Sequence, residues 1–368
     1  MRIMILVSGR TVKGGGGAER RFFRVWQHMR AQGRDIHLLT TDELYEDAIA
    51  AKLATPDRRL VRLMRTSGPL LMNWQVVDAI RAIQPDVLHV VKAQRSLVPL
   101  FAYLHTLRSI AVASTVTSSW YADGGPVPPS SFLTCRILWR RADAIDSLYP
   151  GFISAHAERM RLAHKVAVSP CSFSDPTRFV PSERKGRTIV FAGRLIEEKN
   201  PLMFAEALAR LDAAYSEWDA VIAGAGPLEG ELRSVLARRR LLGKVRVGPN
   251  PNMETVLGES LVFVSIQRRE NYPSQALLEG MLAENAVVAT DVGETRRLVI
   301  DGRTGLLIKP NADALAAALE MLLRRPDDAR AMGAEGRQLV LREHTIERFA
   351  TYLYALWERA WTNTHARR

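Results

Sequence analysis

A chain of 368 residues is long for one domain and comfortable for two, and its 47% hydrophobic and 24% charged content is that of an ordinary soluble globular protein. No apolar run approaches the roughly 18 residues needed to span a bilayer, and Met1-Arg-Ile-Met-Ile-Leu-Val-Ser-Gly9 is too short for a signal peptide. The formal charge of +12 is uneven: residues 1–172 hold 23 Lys and Arg against 13 Asp and Glu, which points to an anionic partner for the first half, such as a membrane surface, a nucleic acid or an acidic acceptor.

In chain order, short apolar runs alternate with helix-like segments. Strands are expected at 3–7, 36–40, 87–91, 111–115 and 144–148, then at 188–192, 220–223, 245–247, 261–265, 286–290 and 305–308. This alternation is the mark of an α/β chain with two Rossmann-like, doubly wound parallel-sheet domains facing a cleft. The boundaries are set at 1–172 and 173–344, where Ser169-Pro-Cys-Ser-Phe-Ser-Asp-Pro176 reads as an interdomain linker. Residues 345–368 form a last helix, with Ile346, Phe349, Leu353 and Trp357 on one face, expected to pack back on the first domain. Cys135 and Cys171 lack metal or redox spacing, as expected in a reduced, cytoplasmic setting.

The first strand runs into Lys13-Gly-Gly-Gly-Gly-Ala-Glu19, whose glycines would free backbone N–H groups to face a phosphate. It is neither a dinucleotide fingerprint, since Glu19 stands at the third glycine position, nor a Walker loop. A flexible turn is the competing reading. His89 reads as a packed strand residue more readily than as a catalyst. The stretch Phe132-Leu-Thr-Cys-Arg-Ile-Leu-Trp-Arg-Arg141 interleaves cations with apolar residues at helical spacing. It is read as a peripheral contact with an anionic membrane surface on the inner face, against the alternative of an ordinary surface helix. Nucleic-acid binding fits the charge but lacks a recognition motif.

Phe191-Ala-Gly-Arg-Leu-Ile-Glu-Glu-Lys-Asn-Pro201 carries the most information. A strand end, a glycine and two cations five positions apart, Arg194 and Lys199, precede an Asn200 N-cap with proline at the first helical position. Cations at a strand's carboxyl end, beside a helix N-terminus, suit a dianionic phosphate. Ala223-Gly-Ala-Gly-Pro-Leu-Glu229 reads as a tight strand-to-helix turn. Further on, Glu270-Asn-Tyr-Pro-Ser-Gln-Ala-Leu-Leu-Glu279 places a helix N-terminus near Tyr272–Ser274 and supplies Glu279, a carboxylate able to accept from vicinal hydroxyls. Phosphate clamp plus hydroxyl acceptor suggests a nucleotide-sugar.

These two segments resemble the donor site of the retaining, family 4 glycosyltransferases of the GT-B fold, and the likeness covers nearly the whole chain. The Gly16-Gly-Ala-Glu19 turn, Pro85-Asp-Val-Leu-His89, Ala223-Gly-Ala-Gly-Pro-Leu228, Thr290-Asp-Val-Gly-Glu294, Asp301-Gly-Arg-Thr-Gly-Leu-Leu307 and the linker carry it by their order and spacing. The resemblance implies that Arg194 and Lys199 bind the donor diphosphate, that Glu279 holds the ribose hydroxyls, and that Gly16 and Gly17 face the diphosphate from the other lobe. Ser274 joins the donor-binding set. The family has a glutamate eight positions before Glu279; Asn271 stands there and Glu270 sits one residue early, so either could meet the sugar. Many relatives carry a histidine where this chain reads Val116-Thr-Ser-Ser-Trp120. In a retaining front-face reaction the departing diphosphate oxygen can itself take the acceptor proton.

The expected function is transfer of a sugar from a nucleotide-diphosphate-sugar to a glycan or lipid-linked acceptor, with no cofactor and no metal. A nucleotide-sugar epimerase of the same architecture and a basic nucleic-acid-binding protein are the alternatives.

Overall fold

Two parallel sheets organise the chain, which divides into two compact units, Met1–Pro170 with Ile346–Arg368, and Cys171–Thr345. The computed structural model describes residues 1–8, 17–50, 57–63, 68–117, 121, 127–250, 252–270 and 272–366.

The first unit runs β1 (Ile3–Val7), α1 (Gly17–Ala31), β2 (Ile36–Thr41), α2 (Asp42–Ala50), β3 (Leu60–Leu63), α3 (Gly68–Ile83), β4 (Val87–Val90), α4 (Val98–Leu104), β5 (Ala111–Val116), α5 (Pro129–Arg141), β6 (Ala144–Ser147) and β7 (Val166–Val168). Its sheet has the order β3-β2-β1-β4-β5-β6-β7, with Ile3 in register with both Ile36 and Val87. β1 and β5 are buried along their whole length because helices cover both faces, which is why β1 reads as an unbroken apolar run. Met72, Val76, Phe101, Leu138 and Trp139 fill the core beneath α3, α4 and α5.

The second unit runs β8 (Thr188–Ala192), α6 (Pro201–Ala214), β9 (Asp219–Ala223), α7 (Glu229–Arg238), β10 (Val245–Gly248), α8 (Met253–Glu259), β11 (Val262–Ser265), α9 (Gln275–Leu282), β12 (Ala286–Thr290), β13 (Gly305–Ile308), α10 (Ala312–Arg324) and α11 (Pro326–Glu343). The strand order is β10-β9-β8-β11-β12-β13. Winding therefore reverses between β8 and β11, and a crevice at such a switch point is where open α/β sheets receive ligands.

The chain then returns to the first unit as α12 (Ile346–His365), which packs on α1, β4, β5 and β6. Phe349, Leu353 and Trp357 are buried there. A polar ladder backs them. Trp357 Nε1 donates to His89 Nδ1 at 2.9 Å, and His89 Nε2 meets Thr115 Oγ1 at 2.8 Å. Thr115 donates to Asp146, which also accepts from Ser169 and from Tyr352 of α12. Burial, and then the nearby Arg21 cation, push the His89 imidazole down to about 3, so it is neutral at every physiological pH. His89 is a structural strut.

Two strands went unread in the sequence. β3 (Leu60–Leu63) and β7 (Val166–Val168) are the first sheet's edges, four and three residues long.

Candidate functional site

β8 ends at Ala192 and hands the chain to Gly193, Arg194 and a short 3-10 turn, Glu197–Lys199. Asn200 then adopts φ 57°, ψ 42° and Pro201 opens α6 as its first residue. The sequence suggested a side-chain cap, but the Asn200 side chain makes none; its amide reaches the Met203 sulfur at 3.2 Å. Asparagine serves here because it tolerates the left-handed conformation that ends one turn and starts the next. Lys199 lies back against Gly193, where a Cβ would sit 4.0 Å from its Cγ and Cδ. Burial, and next the Arg194 guanidinium, push the Lys199 ammonium down to about 8, against the pull of Glu198. Two cations are thus held close together at a strand end, a cost that an anionic ligand would relieve.

The glycine turn after β9 builds this loop's seat. Gly193 N–H donates to Ala223 O and Leu195 N–H to Ala225 O, both at 3.0 Å, while Leu228 N–H donates back to Leu195 O. The backbones approach so closely that a Cβ on Gly224 would lie 1.9 Å from Gly193 O, and one on Gly226 would lie 2.4 Å from Leu195 O. The turn is tight, as the sequence suggested, and its glycines fix the position of Arg194.

Across the switch point, the loop after β11 is stitched to its neighbours on both sides. Arg268 N–H donates to Glu198 O at 3.1 Å, and its guanidinium pairs with Glu197 at 3.6 Å. Thr290 Oγ1, at the end of β12, donates to Gln267 O at 2.7 Å. The Glu270 carboxylate accepts the N–H groups of Tyr272 at 2.8 Å and Glu294 at 3.0 Å. It occupies the space beside Gly293, whose φ is +52° and where a Cβ would collide with Glu270 Oε2 at 2.4 Å. Carboxyl ends of three adjacent strands, β8, β11 and β12, therefore form one braced frame.

α9 begins inside that frame. Ser274 is its N-cap, accepting from Leu277 N–H at 3.4 Å, and Glu279 lies half-buried one turn before its end. Gly280 lets α9 press onto β11, since a Cβ there would meet the Phe263 ring at 2.7 Å. A helix N-terminus, two cations and a carboxylate lie around the switch point of a parallel sheet, and their chemistry suits a phosphorylated, hydroxyl-bearing ligand.

Residues 175–339, the length of this second sheet and its helices, match the family described as Glycosyl transferases group 1. The second unit is a group 1 glycosyltransferase domain. It is similar to the GalNAc-α-(1→4)-GalNAc-α-(1→3)-diNAcBac-PP-undecaprenol α-1,4-N-acetyl-D-galactosaminyltransferase of Campylobacter jejuni, 32% identical over 173 residues, or 45% of this chain and 46% of that one. The chain thus spans about half the length of that relative, at 46%. A GDP-mannose-dependent α-mannosyltransferase of Mycolicibacterium smegmatis is 28% identical over 356 residues, 88% of this chain and 89% of the relative. Among solved structures, the HepE protein of Anabaena in complex with UDP and glucose superposes with a TM-score of 0.79 at 15% identity, over 96% of this chain and 98% of that one. Such neighbours show the fold: the two Rossmann-like units have the GT-B architecture.

Within the glycosyltransferase domain, the structure brings Arg194 and Lys199 together and links their loop to the Glu270–Ser274 segment through Arg268. Arg268, Gln267 and the Gly293–Glu294 backbone are parts of the frame that sequence reasoning missed, although Arg268-Arg269 stands beside Glu270 in plain view. Arg297, stacked 4.2 Å over the buried Tyr272 ring, is another. Asn271 and Gly16 lie outside the described residues, as do the other glycines of the first turn up to Gly16 and the segment 118–120. Gly17 is the exposed first residue of α1.

One expectation is corrected. Arg141 was grouped with the membrane-facing cations, but it is buried: Nε donates to Leu104 O at 2.5 Å, Nη1 pairs with Asp143 at 2.8 Å, and Nη2 donates to Leu107 O and Ile110 O at 2.7 Å each. At the end of α5 a guanidinium's fork satisfies three carbonyls and a carboxylate at once, which outweighs exposure. Arg136 is half-buried and Arg140 exposed.

Proposed function

We propose that the chain is a retaining glycosyltransferase that moves a sugar from a nucleotide-diphosphate-sugar to a glycan or lipid-linked acceptor, in the synthesis of a cell-surface polysaccharide or glycolipid. The observation that carries this reading is the pair Arg194 and Lys199, compressed at the switch point and braced by the Gly224-Ala-Gly226 turn. In this reading both cations stabilise the charge that develops on the departing diphosphate, and the N-terminus of α9 adds its N–H groups. Glu279 accepts from ribose hydroxyls. Glu270 braces the loop that shapes the sugar pocket, and Asn271 offers an amide to the sugar. His89 is buried and neutral, so it supplies no base; the departing diphosphate oxygen takes the acceptor proton instead. The activities of the two relatives, one on an undecaprenol-linked glycan and one dependent on GDP-mannose, agree with this substrate class.

Incubation with a panel of nucleotide-sugars and glycan or lipid-linked acceptors tests it. Release of nucleoside diphosphate should depend on acceptor, and the anomeric configuration of the product should match the donor. Release without acceptor, with an epimerised free sugar, would support the epimerase instead. Activity should also survive EDTA. No Asp-x-Asp motif occurs in the chain, and Arg194, Lys199 and the helix N-termini can balance the diphosphate. Loss of activity in EDTA, restored by Mg²⁺ or Mn²⁺, would contradict that part.

A further inference from the structure

We propose that the first two turns of α3 form an apolar wedge that seats the first unit on an anionic lipid bilayer. Met72, Val76 and Ile80 face the core of the unit, and Asn73 is buried with them. The Asn73 amide nitrogen donates to Ser96 O at 2.6 Å and its oxygen accepts Leu100 N–H at 2.9 Å. These two bonds tie α3 to the start of α4 and fix the helix's rotation. The opposite face is then forced outward. It carries Leu70, Leu71 and Trp74, which are 78%, 43% and 60% exposed. Single exposed apolar residues are ordinary, but these three are adjacent on one face of one helix, four residues apart at most.

The surroundings identify the occupant. Both α3 and α5 pack against the short helix Arg95–Leu97, and the exposed Arg95 side chain reaches Ser130 at the start of α5. On α5, Leu133 is 57% exposed and shares its face with Arg136 and Arg140. From Arg58 to Arg140 the chain has ten Lys and Arg against three Asp and Glu, with Arg95 and Arg140 exposed. Leucine and tryptophan side chains set among arginines match the interface of an anionic bilayer, where indole rings sit at headgroup level and cations meet phosphates. A second copy of this chain would bring the same basic surface and repel. Nucleic acid could stack a base on Trp74 but would leave Leu70 and Leu71 without apolar contact. No helix among the described residues is long and apolar enough to cross a membrane, so attachment through this wedge is peripheral.

Vesicle co-sedimentation of the full chain tests it, using phosphatidylcholine alone and phosphatidylcholine mixed with phosphatidylglycerol. The protein should bind the mixed vesicles preferentially, less so at high salt. Replacing Leu70, Leu71 and Trp74 together with Ser should lower that binding at least about tenfold, without changing Tm. Wild-type tryptophan emission should shift to the blue on mixed vesicles, and Trp74→Phe should remove the shift while retaining most binding. Equal binding by the wild type and the triple variant, equal binding to both vesicle types, or no binding would overturn the proposal. So would a dimer in light scattering that the triple change dissolves, which would make the face a contact between copies.

Discussion

Lys199→Ala and Arg194→Ala should each lower kcat/KM for the nucleotide-sugar about a hundredfold or more, an effect of roughly 3 kcal/mol on the transition state. In the proposed function, each change removes a cation that faces charge developing on the diphosphate. Both should leave the fold intact, and Lys199→Ala should hold or raise Tm. The unfolded chain binds the Lys199 proton more tightly than the native state, whose ammonium sits at about 8. The charged group therefore opposes folding at neutral pH, and this opposition fades as pH rises from about 8 to the ordinary lysine value of 10.5. The same shift gives a pH signature. The ammonium is present below about pH 8 and is lost above it, so kcat/KM should fall with rising pH by up to about tenfold per unit. Lys199→Arg should keep partial activity and flatten that fall, since a guanidinium stays charged. Near-normal turnover in both alanine variants would remove Arg194 and Lys199 from the site.

Gly224→Ala should be nearly as damaging although residue 224 has no side chain to touch a ligand. Its new Cβ would stand 1.9 Å from Gly193 O, so the Gly193–Leu195 backbone must move, and Arg194 with it. A displacement of about 1 Å in such a loop costs on the order of a hundredfold in rate. The clash itself should cost about 1–3 kcal/mol of stability. Gly230→Ala is the matched control, because nothing lies within 4 Å of its Cβ. It should keep full activity and gain slightly in Tm, alanine being the better helix former. Equal activity in Gly224→Ala and Gly230→Ala would show that the turn does not position the cations.

Most of the sheet was legible because buried parallel strands leave unbroken apolar runs. Ile3–Val7, Thr188–Ala192, Ala286–Thr290 and Gly305–Ile308 fall where composition places them. The two edge strands of the first sheet, Leu60-Val-Arg-Leu63 and Val166-Ala-Val168, were not read, whereas β10 and β13 at the edges of the second sheet were. The paired cations were visible from spacing, but the frame that holds them was not. It consists of backbone groups, such as Arg268 N–H on Glu198 O and Glu294 N–H on Glu270, which no pattern of side chains encodes. Arg141 marks a second limit. Helical spacing puts it beside Arg140, yet one turns inward to three carbonyls and the other faces solvent. Only the carbonyls left free at Leu104, Leu107 and Ile110 distinguish them.

The most direct test of a nucleotide-sugar site at the β8–β11 switch point is a thermal-shift titration with nucleoside diphosphates and nucleotide-sugars. It should use the wild type and an Arg194→Ala/Lys199→Ala double variant. A nucleotide that binds the native state stabilises it by about 2.7 kcal/mol at a hundred times its Kd, so at least one should raise the wild-type Tm in a saturable way. The double variant should keep the unliganded Tm and lose the shift. A nucleotide that stabilises both proteins equally would place its site elsewhere and contradict the account.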